Sequence, residues 1–460
     1  MNNINRHARN SASRREFLRR GAALSLTGVA APWALNLAVI GEAAAQSAQD
    51  YKALVCVFLY GGNDHGNTLV PYDSGTYNNY RTLRGPLALD RGTLGGTVLR
   101  PDVALGGGRE YALAPQLAKL VPIFDAGRMG VLLNIGTLIQ PTTKAQYDSA
   151  SVPLPPRLFS HNDQQSVWQA SNPEGATSGW GGRMGDLFVA GNGGAIFTAV
   201  SVTGNAVYLS GRSAVQYQVT SSGSIAVQGL GDVFGSQQAS QVLRSLITTA
   251  PSGDPFEVEH ARIMQRSIDA DATLRAALGA PPASFPATTL GKQLAMVARM
   301  IAARDQLNVK RQVFFVSLGG FDTHDSLAAE HPGLLTQVAD ALAAFDAAMA
   351  AQGTSSQVTT FTGSDFGRTL SSNGDGSDHG WGGFQFVMGG AVRGKRFFGT
   401  PPVPGDDGPD DVGQGRMLPT MAVDQLAATL AKWMGVSDGD MATVVPAIGN
   451  YSVRDLGLFG

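Results

Sequence analysis

The chain has 460 residues, of which 43% are hydrophobic and 15% charged, which excludes a disordered or highly charged protein and allows a large core. The single cysteine, Cys56, excludes an internal disulfide and a cysteine-based metal cluster. Residues 1–45 hold six Arg and two Glu, so the remaining chain has 28 basic and 34 acidic residues, a net charge of −6. With no basic patch in this part, nucleic acid is not an expected partner.

The N-terminus is predicted to be an export signal. Ser13-Arg14-Arg15-Glu16-Phe17-Leu18-Arg19 matches the twin-arginine pattern, an apolar stretch covers residues 22–40, and Ala43-Ala44-Ala45 provides a small-residue cleavage site. We therefore expect residues 1–45 to be removed. No later stretch approaches the ~18 apolar residues of a transmembrane helix. The mature protein is expected in the periplasm, or secreted, through the twin-arginine pathway, which often carries proteins already loaded with a cofactor.

Hydrophobic periodicity predicts alternating strands and helices along the chain. Strands are expected at residues 54–60, 129–135, 357–362 and 384–392, and in the apolar run that starts at Val313. Helices are expected at residues 115–126, 158–170, 255–278, 290–307, 334–349 and 421–434. Residues 195–219 read as β-rich, and residues 72–109, 221–240 and 403–415 read as loops.

The order of these elements predicts an α/β fold. The first two strands flank a helix, and a β-α-β unit implies a parallel sheet. No repeat and no clean linker divides the chain. We predict one domain over residues 46–460, with a central, mostly parallel sheet flanked by helices and a candidate insertion near residues 190–255.

Candidate chemistry lies where predicted strands end. Two apolar runs pass into Gly-Gly-x-Asp, first at Gly61-Gly62-Asn63-Asp64 and again at Gly319-Gly320-Phe321-Asp322, and His324 follows the second. In an open α/β sheet, ligands bind outside the carboxyl ends of the strands. An Asp after a strand often only caps the next turn, which would explain any one of these residues. Several together favour a shared site.

Histidines point to the same edge of the sheet. Six remain after His7 is removed with the signal, and four of them follow or accompany acidic residues in predicted loops: His65, His161, His324 and His379. His260 and His331 lie in helical surroundings and are expected at the surface or at caps. Carboxylates with imidazoles and without cysteine suit zinc, manganese or iron, whereas carboxylates alone suit calcium or magnesium. The sequence therefore predicts a metal site.

Two residues are candidates for the catalytic groups. Ser160 stands at a predicted helix start, where the helix N-terminus favours an attacking oxygen, although a plain N-cap explains it equally well. Arg368 is a candidate clamp for the oxygens of a bound anion, with a structural salt bridge as the alternative.

Five motifs resemble one known family. L-Y-G-G-N-D, F-S-H-N-D-Q-Q, G-G-F-D-T-H, S-D-F-G-R and D-H-G-W-G-G, together with the twin-arginine signal, are similar to the exported domain of unknown function 1501 family. The similarity runs from Leu54 to about Gly435. That family looks like a member of the alkaline phosphatase and sulfatase superfamily, whose fold is a mostly parallel sheet between helices with metals at the strand ends.

The resemblance implies metal ligands at five positions. Asp64 matches the acid that binds metal beside the nucleophile, Asp322 and His324 match the pair that holds the other metal, and Asp365 and His379 match later ligands.

Phe366 departs from the superfamily pattern, which usually has His or Asn there. The position beside Asp64 and Asp365 then lacks a nitrogen ligand unless His65 or His161 supplies one. The resemblance therefore implies one intact and one compromised metal position.

These observations predict an exported metal-dependent hydrolase of phosphate or sulfate esters. Zinc is the first expectation for the metal, with calcium, manganese and iron as alternatives, and the substrate is expected to be a small-molecule or glycan ester. The alternative is a non-catalytic envelope protein on the same fold that binds a metal or a partner. The sequence leaves the metal number, the substrate, the nucleophile and the oligomeric state open.

Overall fold

The computed structural model describes residues 51–193, 195–280, 282, 284–405 and 407–460, and the predicted export signal lies outside them. Residues Gln49–Gly460 form one compact unit. Its strands are β1 (Lys52–Leu59), β2 (Leu69–Pro71), β3 (Tyr111–Leu113), β4 (Met129–Gly136), β5 (Ala199–Ser201), β6 (Tyr217–Thr220), β7 (Gly223–Ser224), β8 (Arg311–Leu318), β9 (Val358–Ser364), β10 (Gly383–Met388), β11 (Arg396–Phe398) and β12 (Met421–Ala422). Its helices are α1 (Ser74–Arg84), α2 (Val121–Asp125), α3 (Lys144–Asp148), α4 (His161–Ala170), α5 (Trp180–Phe188), α6 (Gln237–Thr248), α7 (Pro255–Ala277), α8 (Thr289–Ala302), α9 (Leu327–Ala351), α10 (Val423–Met434) and α11 (Met441–Val444).

Within the described residues, ten strands form one central sheet in the order β11-β4-β10-β9-β1-β8-β5-β6-β7, with β12 beside β4. β1 lies between β8 and β9 and is parallel to both. β10 runs antiparallel to its neighbours β4 and β9, and β7 runs antiparallel to β6. β2 and β3 form a separate antiparallel pair. The predicted α/β class with a mostly parallel sheet is confirmed.

The sheet is buried on both faces, which is why its central strands are unbroken apolar runs. Alternate residues of β1 enter two different cores: Val55 and Val57 pack in one, and Cys56 and Phe58 in the other. Helices α8 and α9 cover the first face, and α5 and α10 cover the second. This arrangement fixes the carboxyl ends of β1, β8 and β9 side by side.

Helix α9 is, in the described part of the chain, the one helix long and apolar enough to cross a membrane by length and composition. It contacts α8, and Leu335, Val338 and Leu342 belong to the core. A core helix of a soluble protein passes the same test, so this helix gives no indication of a membrane span.

Three local expectations were wrong. Residues 74–84 form α1 rather than loop; its buried residues are Thr76, Tyr77, Tyr80 and Arg84, and two aromatic residues are too few for a clear helical period. Residues 237–240 begin α6 instead of completing an exposed loop. β1 and β4 are not neighbours, because β9 and β10 lie between them, so the predicted β-α-β unit spans non-adjacent strands. In contrast, residues 195–219 provide β5 and β6 of the main sheet. The proposed insertion near residues 190–255 stays a prediction.

Candidate metal centre

Two glycine turns set the position of the candidate site. At the ends of β1 and β8, the Tyr60 N–H donates to the Leu318 carbonyl (2.9 Å) and the Phe321 N–H donates to the Tyr60 carbonyl (3.2 Å). Gly61 adopts a φ of +112°, and a Cβ there would lie 2.4 Å from the backbone nitrogen of Asp322. Only glycine combines this φ with such a close approach. The turn after β1 therefore supports the loop that carries Asp322.

Four side chains meet beside this turn, and we name them the histidine centre: Asp322, His161, His324 and His379. The Nε2 atoms of the three imidazoles lie 3.3, 3.2 and 3.5 Å, respectively, from Oδ1 of Asp322. The Nε2 atoms of His324 and His379 are 2.8 Å apart. Three separate elements supply these groups: the start of α4, the loop between β8 and α9, and the loop between β9 and β10.

The other ring nitrogen of each histidine has its own acceptor. His161 Nδ1 lies 2.6 Å from Oδ2 of Asp365, and His324 Nδ1 lies 3.2 Å from Oδ1 of Asp378. His379 Nδ1 lies 2.6 Å from the carbonyl oxygen of Phe159. A carbonyl only accepts, so Nδ1 of His379 donates; the two carboxylates favour the same tautomer for the other rings.

The resulting tautomer makes the histidine centre suitable for a cation. With each proton on Nδ1, the three Nε2 lone pairs point toward one carboxylate oxygen. Two such nitrogens 2.8 Å apart repel each other unless a proton or a cation lies between them. Metal-binding histidines commonly donate their second N–H to a carboxylate or carbonyl in this way. The ligand atoms of His161, Asp322 and His379 lie within 4.8 Å of one another and therefore fit a divalent metal ion, and Nε2 of His324 lies beside that of His379.

Arg368 holds the carboxylate of the centre. Its guanidinium is fully buried, and Nη1 donates to Oδ1 of Asp322 (2.9 Å) and to the Gly61 carbonyl (2.8 Å). Nε and Nη2 donate to the Ser377 carbonyl. Burial alone would raise the pKa of Asp322, but the hydrogen bond from Arg368 and the nearby imidazoles lower it below its usual value. Arg368 thus pairs with Asp322, which corresponds to the salt bridge that the sequence left open as the alternative to a contact with a bound anion.

The imidazoles are tuned in opposite directions. The hydrogen bond to Asp365 raises the pKa of His161. Burial, with further contributions from His161 and Arg368, lowers the pKa of His379. Of these two rings, His161 therefore gains a proton at a higher pH than His379 does.

Asp365, predicted as a ligand, lies one layer behind the centre. Its side chain is fully buried, its Oδ2 accepts from His161 and from Nε2 of Gln165 (2.7 Å), and the Gly61 N–H contacts both oxygens at 3.2 Å. The structure thus assigns it to orienting His161. Gln165 and Asp378 were missed as orienting residues, although both stand within motifs already noted in the sequence.

Phe366 forms a wall of the site. Its buried ring lies 4.9 Å from the ring of His161 and 4.8 Å from that of His379, measured between centroids. A Cβ on Gly62 would lie 2.3 Å from this ring. Phe366 replaces a potential ligand with an aromatic surface that fixes two of the imidazoles.

Asp64 and His65 lie apart from the histidine centre. Asp64 is fully buried and forms an ion pair with Nη2 of Arg84. His65 is also buried, and its Nε2 lies 3.0 Å from the Arg368 carbonyl. His331, expected at the surface or at a cap, is buried as well, with its Nε2 3.0 Å from Oδ1 of Asn63. Asn63 and His331 are 268 residues apart in the sequence. The local helical pattern around His331 therefore did not indicate that His331 would be buried against Asn63.

Ser160 is the N-cap residue of α4, and its hydroxyl donates to Oδ2 of Asp163 at 3.0 Å. Its side chain makes no capping bond to the helix backbone. Of the residues on either side of it, Phe159 contacts the histidine centre through its carbonyl and His161 belongs to the centre.

A cavity of about 400 Å³ opens where β5 and β6 end, on the edge of the sheet that carries the histidine centre. Its lining includes Gln218, Ser221, Lys292 and Gln293 and contains no acidic residue. Gln293 accepts from the backbone N–H of Ser317 in β8, the strand that leads to Asp322.

Fold and site together define an α/β protein with an Asp/His centre at the carboxyl ends of its strands. The chain belongs to the family described as "Protein of unknown function (DUF1501)", which matches residues 51–445. The family membership predicted from the motifs is confirmed. No curated protein matches the sequence.

Solved structures with a distant likeness include a sulfatase, a lipoteichoic acid synthase and a periplasmic domain. The PsFucS1 sulfatase from Pseudoalteromonas sp. is 9% identical, with a TM-score of 0.35 over 88% of this chain and 72% of its own. The lipoteichoic acid synthase LtaP from Listeria monocytogenes is 9% identical, with a TM-score of 0.32 over 87% and 76%. The C-terminal periplasmic domain of EcEptC from Escherichia coli is 10% identical, with a TM-score of 0.33 over 87% and 88%. At these values the likeness supports no inference about activity.

Proposed function

We propose that this protein is an exported hydrolase of phosphate or sulfate esters that uses one divalent metal ion. One observation carries the proposal: three imidazole Nε2 atoms surround one carboxylate oxygen of Asp322 at 3.2–3.5 Å, and each imidazole is held from behind by an acceptor. Such a set is costly for a protein to assemble without a cation.

Zinc suits this donor set best. Asp322, His161, His324 and His379 would hold it, since three nitrogens and one oxygen match zinc coordination. Manganese and iron also accept such ligands, whereas calcium prefers oxygen alone. When bound, zinc would supply Lewis acidity toward an ester oxygen.

The openness of the centre supports catalysis over a structural role. The side chain of Asp322 is 48% exposed and that of His324 is 40% exposed. Structural zinc sites are closed by protein ligands, while catalytic sites keep a position open. This contrast favours the hydrolase over a non-catalytic metal-binding envelope protein.

Ser160 is the proposed nucleophile. Its hydroxyl already donates to the carboxylate of Asp163, which is 3% exposed and positioned to accept the proton. The Ser160 oxygen would bond to phosphorus or sulfur as the ester alkoxide leaves and takes a proton from water. The hydroxide left by that water would then attack phosphorus or sulfur and release the anion, while the Ser160 oxygen takes its proton back from Asp163.

The cavity at the ends of β5 and β6 supports an ester substrate larger than its reacting group. About 400 Å³ suffices for a sugar-sized portion of a substrate. Lys292 is exposed there and has no ion pair within the described residues. A glycan ester with a further polar or anionic substituent fits this lining. The twin-arginine pattern at residues 13–19 supports export.

Metal analysis and turnover test the proposal together. Protein purified from the periplasm should carry zinc, and it should hydrolyse members of a panel of aryl phosphates and aryl sulfates. Asp322→Ala and His324→Ala should lose both metal and turnover, and Ser160→Ala should lose turnover alone. His260→Ala, an exposed histidine of α7, is the matched control and should lose neither.

Two results would count against the hydrolase. Less than about 0.2 metal per chain in the wild type contradicts the metal centre, because catalytic sites are normally occupied. A full metal content without turnover of any ester on the panel supports the non-catalytic alternative instead.

A further inference from the structure

The resemblance to the phosphatase and sulfatase superfamily implies a second metal position, bound by Asp64 and Asp365. The first of these acids is engaged by a cation of the chain itself. Asp64 is fully buried, and its Oδ2 is paired with Nη2 of the equally buried Arg84. Nη1 of Arg84 donates to the carbonyls of Thr369 (3.0 Å) and Leu370 (3.4 Å).

The second acid is equally committed. Asp365 Oδ2 contacts His161 and Gln165, and the Gly61 N–H approaches both of its oxygens. Its side chain has no exposed surface. Neither carboxylate therefore offers the open side that an incoming ion with its hydration shell requires.

The other carboxylate oxygen of Asp64, Oδ1, lacks the neighbouring ligand atoms that a metal ion needs. Oδ1 has no hydrogen-bond partner. A Cβ on Gly66 would lie 3.5 Å from it, so the backbone of Gly66 packs close to this oxygen. Across the described residues, one trio of acid, imidazole or thiol ligand atoms gathers within 4.8 Å, and it is His161, Asp322 and His379. The residues around Asp64 do not fit a metal ion.

We infer that Arg84 is a fixed internal cation that takes the place of a second metal ion at Asp64, so that Asp64 binds no metal and any metal in the protein lies at the histidine centre. A divalent ion at Asp64 would lie against the guanidinium and be repelled, at a depth where water screens little. Arg84 also ties the segment 369–370 that follows Arg368, the residue that holds Asp322. The permanent positive charge of Arg84 thus replaces the charge of an exchangeable metal ion.

The inference concerns Asp64 and stands apart from the proposed hydrolase activity. Its test uses the mature protein saturated with zinc, freed of loose metal and measured by elemental analysis. Three proteins are compared: the wild type, Asp64→Asn/Arg84→Met, which removes both buried charges, and His324→Ala. We expect one zinc per chain in the wild type and in the double variant, and at least a fivefold lower content in His324→Ala.

Crystals of the zinc-loaded wild type provide a second measurement that needs no variant to fold. Anomalous scattering should give one peak among the imidazoles and none near Asp64. A peak within about 2.5 Å of an Asp64 oxygen, the range of a zinc–oxygen bond, overturns the inference. So does a double variant that holds one zinc fewer than the wild type. A wild type without zinc leaves Asp64 metal-free, as inferred here, and contradicts only the proposed function.

Discussion

The two Gly-Gly-x-Asp turns of this protein begin alike and end in opposite environments. Asp322, after β8, is about half exposed and faces three imidazoles. Asp64, after β1, has no exposed surface and faces a guanidinium. Both follow buried parallel strands that are hydrogen-bonded neighbours. The same Gly-Gly-x-Asp motif after a strand therefore supports an exposed site in one case and a buried ion pair in the other. We call the turn that carries Asp322 the open turn and the turn that carries Asp64 the closed turn.

The difference lies in which groups the rest of the chain brings to each carboxylate. α1 brings Arg84 to Asp64, and α4 and the loop before β10 bring histidines to Asp322. Asp322 has a cation too, since Arg368 contacts it, but that contact leaves the face toward the imidazoles open. The buried ion pair with Arg84 neutralises the Asp64 carboxylate and stabilises that turn. The Asp322 carboxylate is partly exposed, so its turn stays available to a ligand.

Arg84→Ala should break the closed turn and have the largest effect on stability. Removing one partner of a buried ion pair leaves Asp64 uncompensated and should lower the free energy of unfolding by about 3–5 kcal/mol. Urea denaturation of the mature protein at pH 7 measures this loss. Arg81→Ala, an exposed arginine on the same helix, should change it by less than about 0.5 kcal/mol. Equal losses in the two variants would mean that the buried pair does not stabilise the fold.

The closed turn should also make the fold sensitive to acid through His331. Burial lowers the pKa of His331 to about 4, whereas an unfolded histidine has a pKa of about 6.5. The unfolded chain then binds more protons between these values. Stability is fully present above pH ~6.5 and should fall by about 3 kcal/mol as the pH drops to ~4.

His331→Gln tests that acid sensitivity. The glutamine amide can still donate to Asn63 but does not titrate, so the fall in unfolding free energy between pH 7 and pH 4.5 should shrink by about 2 kcal/mol. Buried His65, whose pKa is also lowered to about 4, keeps part of the sensitivity in both proteins. The exposed His260→Gln should leave the slope unchanged. A wild-type slope in His331→Gln would contradict the assignment.

Much of the fold and most of the histidine centre could be predicted from the sequence. Apolar runs that end in Gly-Gly identified β1 and β8, because strands buried on both faces need continuous apolar residues. Asp322, His324 and His379 were predicted as ligands from their motifs, and His161 as an additional ligand, and the structure brings all four together. Local motifs predict such residues well because each motif is a loop at the same edge of the sheet.

The sequence did not predict the ion pair of Asp64 and did not decide between the two roles of Arg368. Arg84 lies in a segment that reads as loop, and its pairing with Asp64 depends on how α1 packs, which no local pattern encodes. Arg368 was a candidate either for a clamp on a bound anion or for a structural salt bridge, and the loop after β9 turns it inward onto Asp322. Burial depends on the assembled fold and not on local motifs. The motifs alone therefore cannot decide whether a charged residue binds a ligand or forms an internal ion pair.

Gly61→Ala, a substitution in the turn after β1, should disturb the turn after β8 that carries Asp322. A Cβ there would lie 2.4 Å from the Asp322 nitrogen, and the φ of +112° would be strained by about 1–3 kcal/mol. We expect Asp322 to be displaced and zinc affinity to fall at least 10-fold. Gly319→Ala is the matched control, because no atom lies within 4 Å of a Cβ built there. Competition with a zinc chelator measures both, and equal affinities would show that the two turns are not coupled through Gly61.

Asp378→Asn should have the smallest effect, because it alters the open turn without removing a ligand. The carboxylate of Asp378 orients His324 through Nδ1 at 3.2 Å, and such partners contribute about 10–100-fold to metal affinity. Its side chain is 42% exposed, so the loss of charge should cost about 10-fold, the lower end of that range. Asp375→Asn, in the same loop but bonded to the Ser326 N–H, should leave zinc affinity unchanged. If both variants bind zinc like the wild type, the four groups of the histidine centre suffice for zinc binding. The orienting contact from Asp378 to His324 would then be dispensable.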